Sequence, residues 1–118
     1  MSSHTEPEFV ATTVLRIADK DIRLEVANTP AARARGLLGR DSLDGALLIT
    51  PSNSVHTFGM RFTIDVAYLD RDHRVLDVTT MKPNRVGRPR WRARHIIEAE
   101  AGRLVEWGLR AGSVAEVI

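Results

Sequence analysis

The stretch SVHTFGMRFTIDVAYLD, residues 54 to 70, concentrates side chains that could bind a ligand or move a proton. Every second residue from Phe58 to Tyr68 is apolar or aromatic, and the positions between them include Arg61 and Asp65. The planar guanidinium group of arginine can form two hydrogen bonds with an anion, and aspartate accepts hydrogen bonds. A histidine such as His56 exchanges protons near neutral pH. The alternation predicts one long strand with a core face and a polar face that is open to a ligand.

Two interpretations of that polar face stay open at the level of sequence. In the first, a ligand pocket forms from Arg35, His56, Thr57, Arg61 and Asp65. In the second, the same groups serve the fold: Asp65 pairs with Arg35 or caps backbone donors, and Arg61 pairs with an acid on a neighbouring strand. A catalytic version of the first interpretation would be a hydrolase or transferase that uses His56 and Asp65, although no Gly-x-Ser-x-Gly elbow accompanies them.

The segment KPNRVGRPRWRAR, residues 82 to 94, is a second candidate because it carries six basic residues and no acid. Proline and glycine within it predict a long loop. Such a loop could bind nucleic acid, with an aromatic ring stacking on a base and arginines meeting phosphates; the candidates are Arg85, Arg88, Arg90, Trp91 and Arg92. The structural alternative is a solvated loop in which Trp91 packs onto the domain and the arginines pair with Glu98, Glu100 and Glu106.

Several kinds of chemistry find no support in the sequence. The chain has no cysteine, which excludes disulfides, thiolate metal sites and thiol nucleophiles. The histidines show no HxH or HxxxH spacing, and no glycine-rich phosphate loop occurs. We therefore expect neither a metal nor a cofactor.

Length and composition indicate one soluble domain. The 118 residues are 43% hydrophobic and 27% charged, with a formal net charge of +2. The longest apolar runs are of strand length, so no membrane segment is expected. The start of the chain lacks a basic, apolar leader, and this predicts a flexible tail over residues 1–8, a single domain over residues 9–118 and a cytoplasmic location.

The elements that must position the candidate residues are mostly short strands. FVATTVLRI (9–17) and DIRLEV (21–26) predict a hairpin, and RVLDVTTM (74–81) predicts the return partner of the long strand. GALLIT (45–50) is apolar throughout, which is typical of a central strand that is covered on both faces. HIIEAEA (95–101) and SVAEVI (113–118) complete the predicted strands.

Two short helices are predicted between the strands. Thr29 and Pro30 can begin the first, and Gly36 or Gly39 can end it. RLVEWG (103–108) predicts the second. The predicted fold class is mainly β (α+β): a strongly curved, partly closed antiparallel sheet or barrel of about seven short strands with one or two short helices.

Several of these segments together resemble the domain of unknown function 192 (DUF192) family: TPAARARGLLGR, the GALLI run, HTFGMRFTIDVAYLD and the closing HIIEAEAGRLVEWGLRAGSV. The likeness covers about residues 20 to 118. It implies a compact, mainly β domain without an established activity, and it implies that many relatives are exported behind a signal peptide. The motif positions that carry over are Arg35, Gly36, Phe58, Met60, Ile64 and Asp65. Family members commonly have proline where this chain has Thr63 and aspartate where it has Ser113.

These observations together predict a non-enzymatic binding module for a polar or anionic small molecule or a partner protein. The first alternative is a nucleic-acid-binding accessory protein that uses loop 82–94. The second alternative is the hydrolase or transferase described above.

Overall fold

The computed structural model describes residues 11–118, which form seven strands and two short helices. The predicted tail and the first two residues of the predicted strand 9–17 lie outside this range. The elements in chain order are β1 (Ala11–Ile17), β2 (Lys20–Ala27), α1 (Pro30–Arg35), β3 (Ala46–Ile49), β4 (Ile64–Leu69), β5 (Val75–Met81), β6 (His95–Glu100), α2 (Arg103–Trp107) and β7 (Glu116–Val117).

All seven strands belong to one sheet with the order β5-β4-β6-β3-β2-β1-β7. The two predicted hairpins, β1 with β2 and β4 with β5, are present, and β3 lies at the centre. Only β2 and β3 run parallel, because the connection through α1 is long enough for a crossover. The prediction of a curved, partly closed sheet is confirmed.

The two edges of the sheet approach each other through hydrogen bonds just before β7. The N–H of Val75 donates to the carbonyl of Ser113 at 2.8 Å, and the N–H of Gly112 donates to the carbonyl of Val75 at 2.8 Å. Ala115 donates to His73 at 3.0 Å in the same region. These bonds cover part of the β5 edge, which would otherwise present unpaired backbone groups.

The sheet separates two apolar clusters. The first receives buried residues from every strand from β1 to β6 and from α2, so it fills the concave side; Leu15, Leu24, Ile97 and Leu104 belong to it. The second covers the opposite face of the central strands β3, β4 and β6 beneath α1 and the surrounding loops. Any site under α1 therefore lies on the outer face of the sheet.

The prediction of one long strand over residues 54 to 70 is wrong for its first half. Strand geometry begins only at Ile64, and Gly59 adopts a positive φ of 77° in a turn closed by the Met60 N–H bond to the carbonyl of Thr57. Val55, Thr57 and Met60 of this loop are buried, whereas Phe58, expected on the core face, is 50% exposed. The alternation of apolar residues therefore predicted neither the strand geometry of residues 54–63 nor which of their side chains are buried, and all six residues of β4 are buried.

Helix α1 begins and ends where the sequence indicates. The Thr29 hydroxyl accepts a hydrogen bond from the N–H of Ala32 at 3.1 Å, and Pro30 occupies the first turn. Gly36 ends the helix with a positive φ of 48°. None of the helices that the structure describes is long and apolar enough to cross a membrane.

Candidate functional site

A small cavity of about 80 Å³ lies between the end of α1 and the loop over residues 52–60. We call it the α1 cavity. Its polar and charged lining comes from Arg33, Arg35, His56 and Glu98, together with Ser52 and Ser54, and its apolar lining includes Leu38, Ile49, Val55 and Met60. The volume is enough for several water molecules or for a small organic molecule.

Glu98 on β6 is the buried carboxylate of this cavity. It pairs in register with Leu47 on one side and Val66 on the other, so its side chain shares the outer face of the sheet with theirs. Only 1% of the residue is exposed, and its Oε1 atom has no hydrogen-bond partner among residues 11–118. Burial raises the pKa of Glu98 from 4.5 to about 7, because desolvation disfavours the charged form.

A second buried polar atom without a partner among the described residues lies on the same face. Tyr68 on β4 follows Val66 by two residues, and its hydroxyl is buried and makes no hydrogen bond within residues 11–118. Burial raises the pKa of this hydroxyl. The guanidinium of Arg90 lies 4.1 Å from the centre of the Tyr68 ring, an attractive cation–π geometry. Two polar groups without partners on one buried face are unusual, since nearly all buried polar groups are hydrogen-bonded.

Of the five ligand-binding candidates from the sequence, Arg35 and His56 line the α1 cavity. Arg35 is the last residue of α1. His56 is exposed, its backbone forms an isolated bridge with Val86, and its ring lies 5.5 Å from that of Phe58. The nearby Ser52 hydroxyl donates to the carbonyl of Ser54 at 3.2 Å.

Thr57 is fully buried and ties the basic loop to the domain. Its hydroxyl donates to the carbonyl of Lys82 at 2.6 Å and accepts the N–H of Arg85 at 2.9 Å. The Thr57 carbonyl also accepts the N–H of Asn84 at 2.8 Å. Its observed contacts are therefore with the loop over residues 82–94 and not with the α1 cavity.

Replacing Thr57 by valine should destabilise the protein measurably. The substitution keeps the shape but leaves the Lys82 carbonyl and the Arg85 N–H without their partner, which costs about 1–3 kcal/mol of unfolding free energy. Urea denaturation measures the change. Thr12→Val on the exposed face of β1 is the matched control, with an expected change within about 0.5 kcal/mol. Equal losses of stability in the two variants would show that the hydrogen bonds of the Thr57 hydroxyl do not stabilise the protein.

Asp65 and Arg61 do not meet each other. The buried Asp65 accepts hydrogen bonds from the Thr80 hydroxyl and from the N–H of Gly102, both at 2.8 Å, and so fixes the start of α2 against β4. Arg61 forms an exposed ion pair with Asp41 at 3.0 Å. Both groups have internal partners, and Asp41 lies in a loop, whereas the sequence pointed to an acid on a neighbouring strand.

The sheet also separates His56 from Asp65. Asp65 pairs with Ala99 in register, and Ala99 belongs to the concave apolar cluster. His56 lies beside Glu98, whose side chain faces the other way. The pair that the hydrolase or transferase hypothesis requires is therefore not assembled.

The basic loop differs from its structural interpretation in two respects. Trp91 is 86% exposed and does not pack onto the domain. The predicted partners Glu98, Glu100 and Glu106 are not used by this loop: Glu98 is buried, Glu100 accepts the N–H of Leu43, and Glu106 pairs with Arg103. Among the loop arginines, Arg90 pairs with Asp77 at 2.6 Å.

The part of the chain that the structure describes contains no cluster of side chains that could bind a metal ion. No group of three or more histidine, aspartate or glutamate side chains lies close enough together there to hold an ion. The α1 cavity itself is lined by a buried carboxyl group together with arginine and histidine.

The curled half-barrel with an outer helix is a known architecture among solved structures. A protein of unknown function from Novosphingobium aromaticivorans superposes with a TM-score of 0.75 at 17% identity, covering 91% of this chain and 84% of that one. A protein from Sinorhizobium meliloti, provisionally described as a transcription regulator, gives a TM-score of 0.74 at 16% identity, covering 95% of this chain and 98% of that one. At these identities the likeness defines the fold alone.

Sequence comparison goes further than the fold. The family model of DUF192, described as "Uncharacterized ACR", matches residues 13–117, and the chain belongs to this family. A UPF0127 protein of Pyrococcus horikoshii is 39% identical over 84 residues, which cover 67% of this chain and 73% of the relative. A UPF0127 protein of Pyrococcus furiosus is 32% identical over 104 residues, covering 82% of this chain and 90% of the relative. These names assign no activity.

Proposed function

We propose that this protein is a non-enzymatic binding module whose α1 cavity accepts a small polar molecule with one anionic group. The observation that carries the proposal is the buried Glu98, whose Oε1 atom has no partner among residues 11–118 at the edge of an accessible cavity. A buried carboxyl group without a hydrogen bond destabilises a fold by several kcal/mol. Such groups are retained most often at functional sites, where a ligand can supply the missing partner.

The other side chains of the cavity support an anionic ligand. Arg33 lies on α1 in the lining of the cavity and is half-buried, and an arginine guanidinium forms charge-assisted hydrogen bonds with anionic groups. His56 adds a donor and acceptor at the same opening. A ligand that places its anionic group near Arg33 and a hydroxyl near Glu98 would satisfy both ends of the cavity.

Size and chemistry favour binding over catalysis. A volume of about 80 Å³ suits a molecule of a few heavy atoms better than a segment of a partner protein. The Ser52 hydroxyl is engaged by a backbone carbonyl, and Asp65 lies on the other side of the sheet from His56. Neither arrangement activates a nucleophile in the way that a base within hydrogen-bond reach would.

A titration of the ¹⁵N-labelled protein tests the proposal. The probes are glycolate, which has a hydroxyl and a carboxylate, inorganic phosphate, and glycerol as a neutral polyol. We expect glycolate to shift the amide signals of residues 33–36 and 52–60, and glycerol to leave them nearly unchanged. Arg33→Gln should weaken glycolate binding about tenfold, the effect of losing one charge-assisted hydrogen bond.

The control is Arg103→Gln, which removes the same charge from α2 on the concave side of the sheet. It should leave the affinity for glycolate unchanged. The proposal fails if neither glycolate nor phosphate shifts the signals of the cavity lining, if glycerol shifts them as strongly as glycolate, or if the Arg33 and Arg103 substitutions weaken binding equally.

A further inference from the structure

The basic loop, residues 82–94, is held in a defined shape by backbone hydrogen bonds along its whole length. The N–H groups of Asn84, Gly87, Arg90 and Arg94 donate to carbonyls of the domain body at 2.7 to 2.9 Å. The acceptors are Thr57, Val55, Asn53 and Leu69, in that order. The loop therefore presents its side chains from fixed positions, although it contains no regular helix or long strand.

Trp91 is the most exposed large apolar side chain on this loop, with 86% of its surface accessible. It forms a wall shared by two shallow depressions. One, of about 410 Å³, is also lined by Leu76, Arg88 and Pro89, and the other, of about 300 Å³, by Asp70 and Arg94. Exposed tryptophan is uncommon on surfaces that bind nothing and is enriched at the centres of interfaces.

The charges around Trp91 are partly balanced within the described chain, since Asp70 and Asp72 line the second depression together with Arg92 and Arg94. Arg88 and Arg92 are exposed, and their guanidinium groups make no hydrogen bond or ion pair with residues 11–118. The Arg94 guanidinium meets only the backbone carbonyls of Trp91 and Ala93, at 3.2 and 3.1 Å, so it keeps its full charge. Arg90 is different, because its charge is paired with Asp77.

We propose that the basic loop binds single-stranded nucleic acid, with Trp91 stacking on an unpaired base and Arg88 and Arg92 contacting the phosphates on either side. An open indole face can stack on any base, and arginine forks match phosphate oxygens. In a duplex the base faces are covered by neighbouring base pairs, so a single strand fits this surface better. The side chains of an acidic peptide, aspartate and glutamate, could pair with the arginines but have no ring to stack on the indole.

Fluorescence anisotropy with a labelled twelve-residue oligo-dT tests this surface. We expect binding at low salt whose affinity falls with salt at a log-log slope of about −1.4, for two phosphates contacted on a single strand. Trp91→Ala should weaken binding about tenfold, within the range for one lost base stack. Arg92→Gln should reduce the slope by about 0.7.

Control experiments separate base stacking from simple charge attraction and from loss of folding. An abasic oligomer of equal length should bind more weakly than oligo-dT and should not respond to Trp91→Ala. Arg103→Gln on α2 should leave the affinity for oligo-dT unchanged, and circular dichroism should show that each variant is folded. The proposal is overturned if oligo-dT does not bind at low salt or if Trp91→Ala has no effect. It is also overturned if a poly-glutamate peptide binds as tightly as oligo-dT, because that result would favour an acidic protein partner. Because this surface is separate from the α1 cavity, its test is independent of the glycolate titration.

Discussion

Replacing Glu98 by glutamine should remove a large pH dependence of stability between about pH 4.5 and 7. In the unmodified protein, burial raises the pKa of Glu98 from 4.5 to about 7. At about 1.4 kcal/mol for each pH unit, the rise corresponds to a change of about 3 kcal/mol in the free energy of unfolding. Glutamine has nearly the same shape and does not titrate, so the variant should lack this contribution.

The direction in which stability changes with pH depends on whether the folded or the unfolded state holds the Glu98 proton more tightly. Below pH 4.5 Glu98 is protonated in both the folded and the unfolded protein, and it contributes no pH dependence. Between pH 4.5 and 7 the unfolded chain releases its proton while the folded protein keeps it, so the folded state loses stability as the pH rises. Above pH 7 both states are ionised and the loss levels off.

Measuring both proteins separates Glu98 from other groups. Burial lowers the pKa of His95, which by itself makes the folded protein more stable as the pH rises through the range near 6.5. This opposite effect is present in the protein and in the Glu98→Gln variant, so it cancels in the difference. Urea denaturation at several pH values from 4.5 to 8 gives the two curves. Parallel curves would contradict a buried, uncompensated Glu98.

Gly45→Ala should be one of the most damaging single substitutions in the sheet. Gly45 precedes β3 and has a φ of 79°, and a Cβ atom built on it would lie 2.3 Å from the carbonyl oxygen of Arg23. That oxygen belongs to the backbone of β2 and cannot rotate away. Strain from the positive φ and displacement of the β2–β3 pairing together should lower the unfolding free energy by more than about 3 kcal/mol.

Gly39→Ala is the matched control for Gly45→Ala. Gly39 has nearly the same φ, 78°, but a Cβ atom there would meet nothing within 4 Å. Its cost should be confined to the backbone strain, about 1–2 kcal/mol. Thermal or urea denaturation of both variants gives the comparison. Similar losses of stability in the two variants would show that the close approach to Arg23 is not the cause.

The strands could be predicted wherever local signals and tertiary packing agree. The apolar run of β3 correctly indicated a central strand, because both of its faces are covered. The turn residues between β1 and β2 and between β4 and β5 correctly indicated two hairpins. The error at residues 54 to 63 arose because the turn at Gly59, with its positive φ of 77°, breaks the strand, and a single glycine inside an alternating pattern does not show this in the sequence.

The candidate site was harder to predict because it depends on how elements pack. Arg35 and His56 are separated by 21 positions, and only the packing of α1 against the loop over residues 52–60 brings them to one cavity. From the sequence, Glu98 is expected to pair with arginines of the loop over residues 82–94 at the surface, since an acid that alternates with apolar residues usually faces water. HIIEAEA gave little sign of this burial, because Ile96 shares its strand face with the two acids Glu98 and Glu100, and only packing beneath α1 and the loop over residues 52–60 covers Glu98.

Asp65 shows the opposite difficulty. Its position between apolar residues drew attention to it as a ligand-binding candidate, but it bonds the backbone of Gly102 and the hydroxyl of Thr80. Those partners are 37 and 15 residues away in the chain, and no local pattern indicates them. Sequence can therefore mark a polar residue as needing a partner without showing whether the protein or a ligand supplies it.

The α1 cavity can be tested most directly by following the Glu98 carboxyl group itself. A ¹³C NMR titration, with Glu98→Gln identifying the signal, measures its pKa in the folded protein. A buried carboxyl group that is kept without a partner should titrate near pH 7. A midpoint near 4.5 would mean that the group is hydrated or paired, and would contradict the proposal that the cavity reserves it for a ligand.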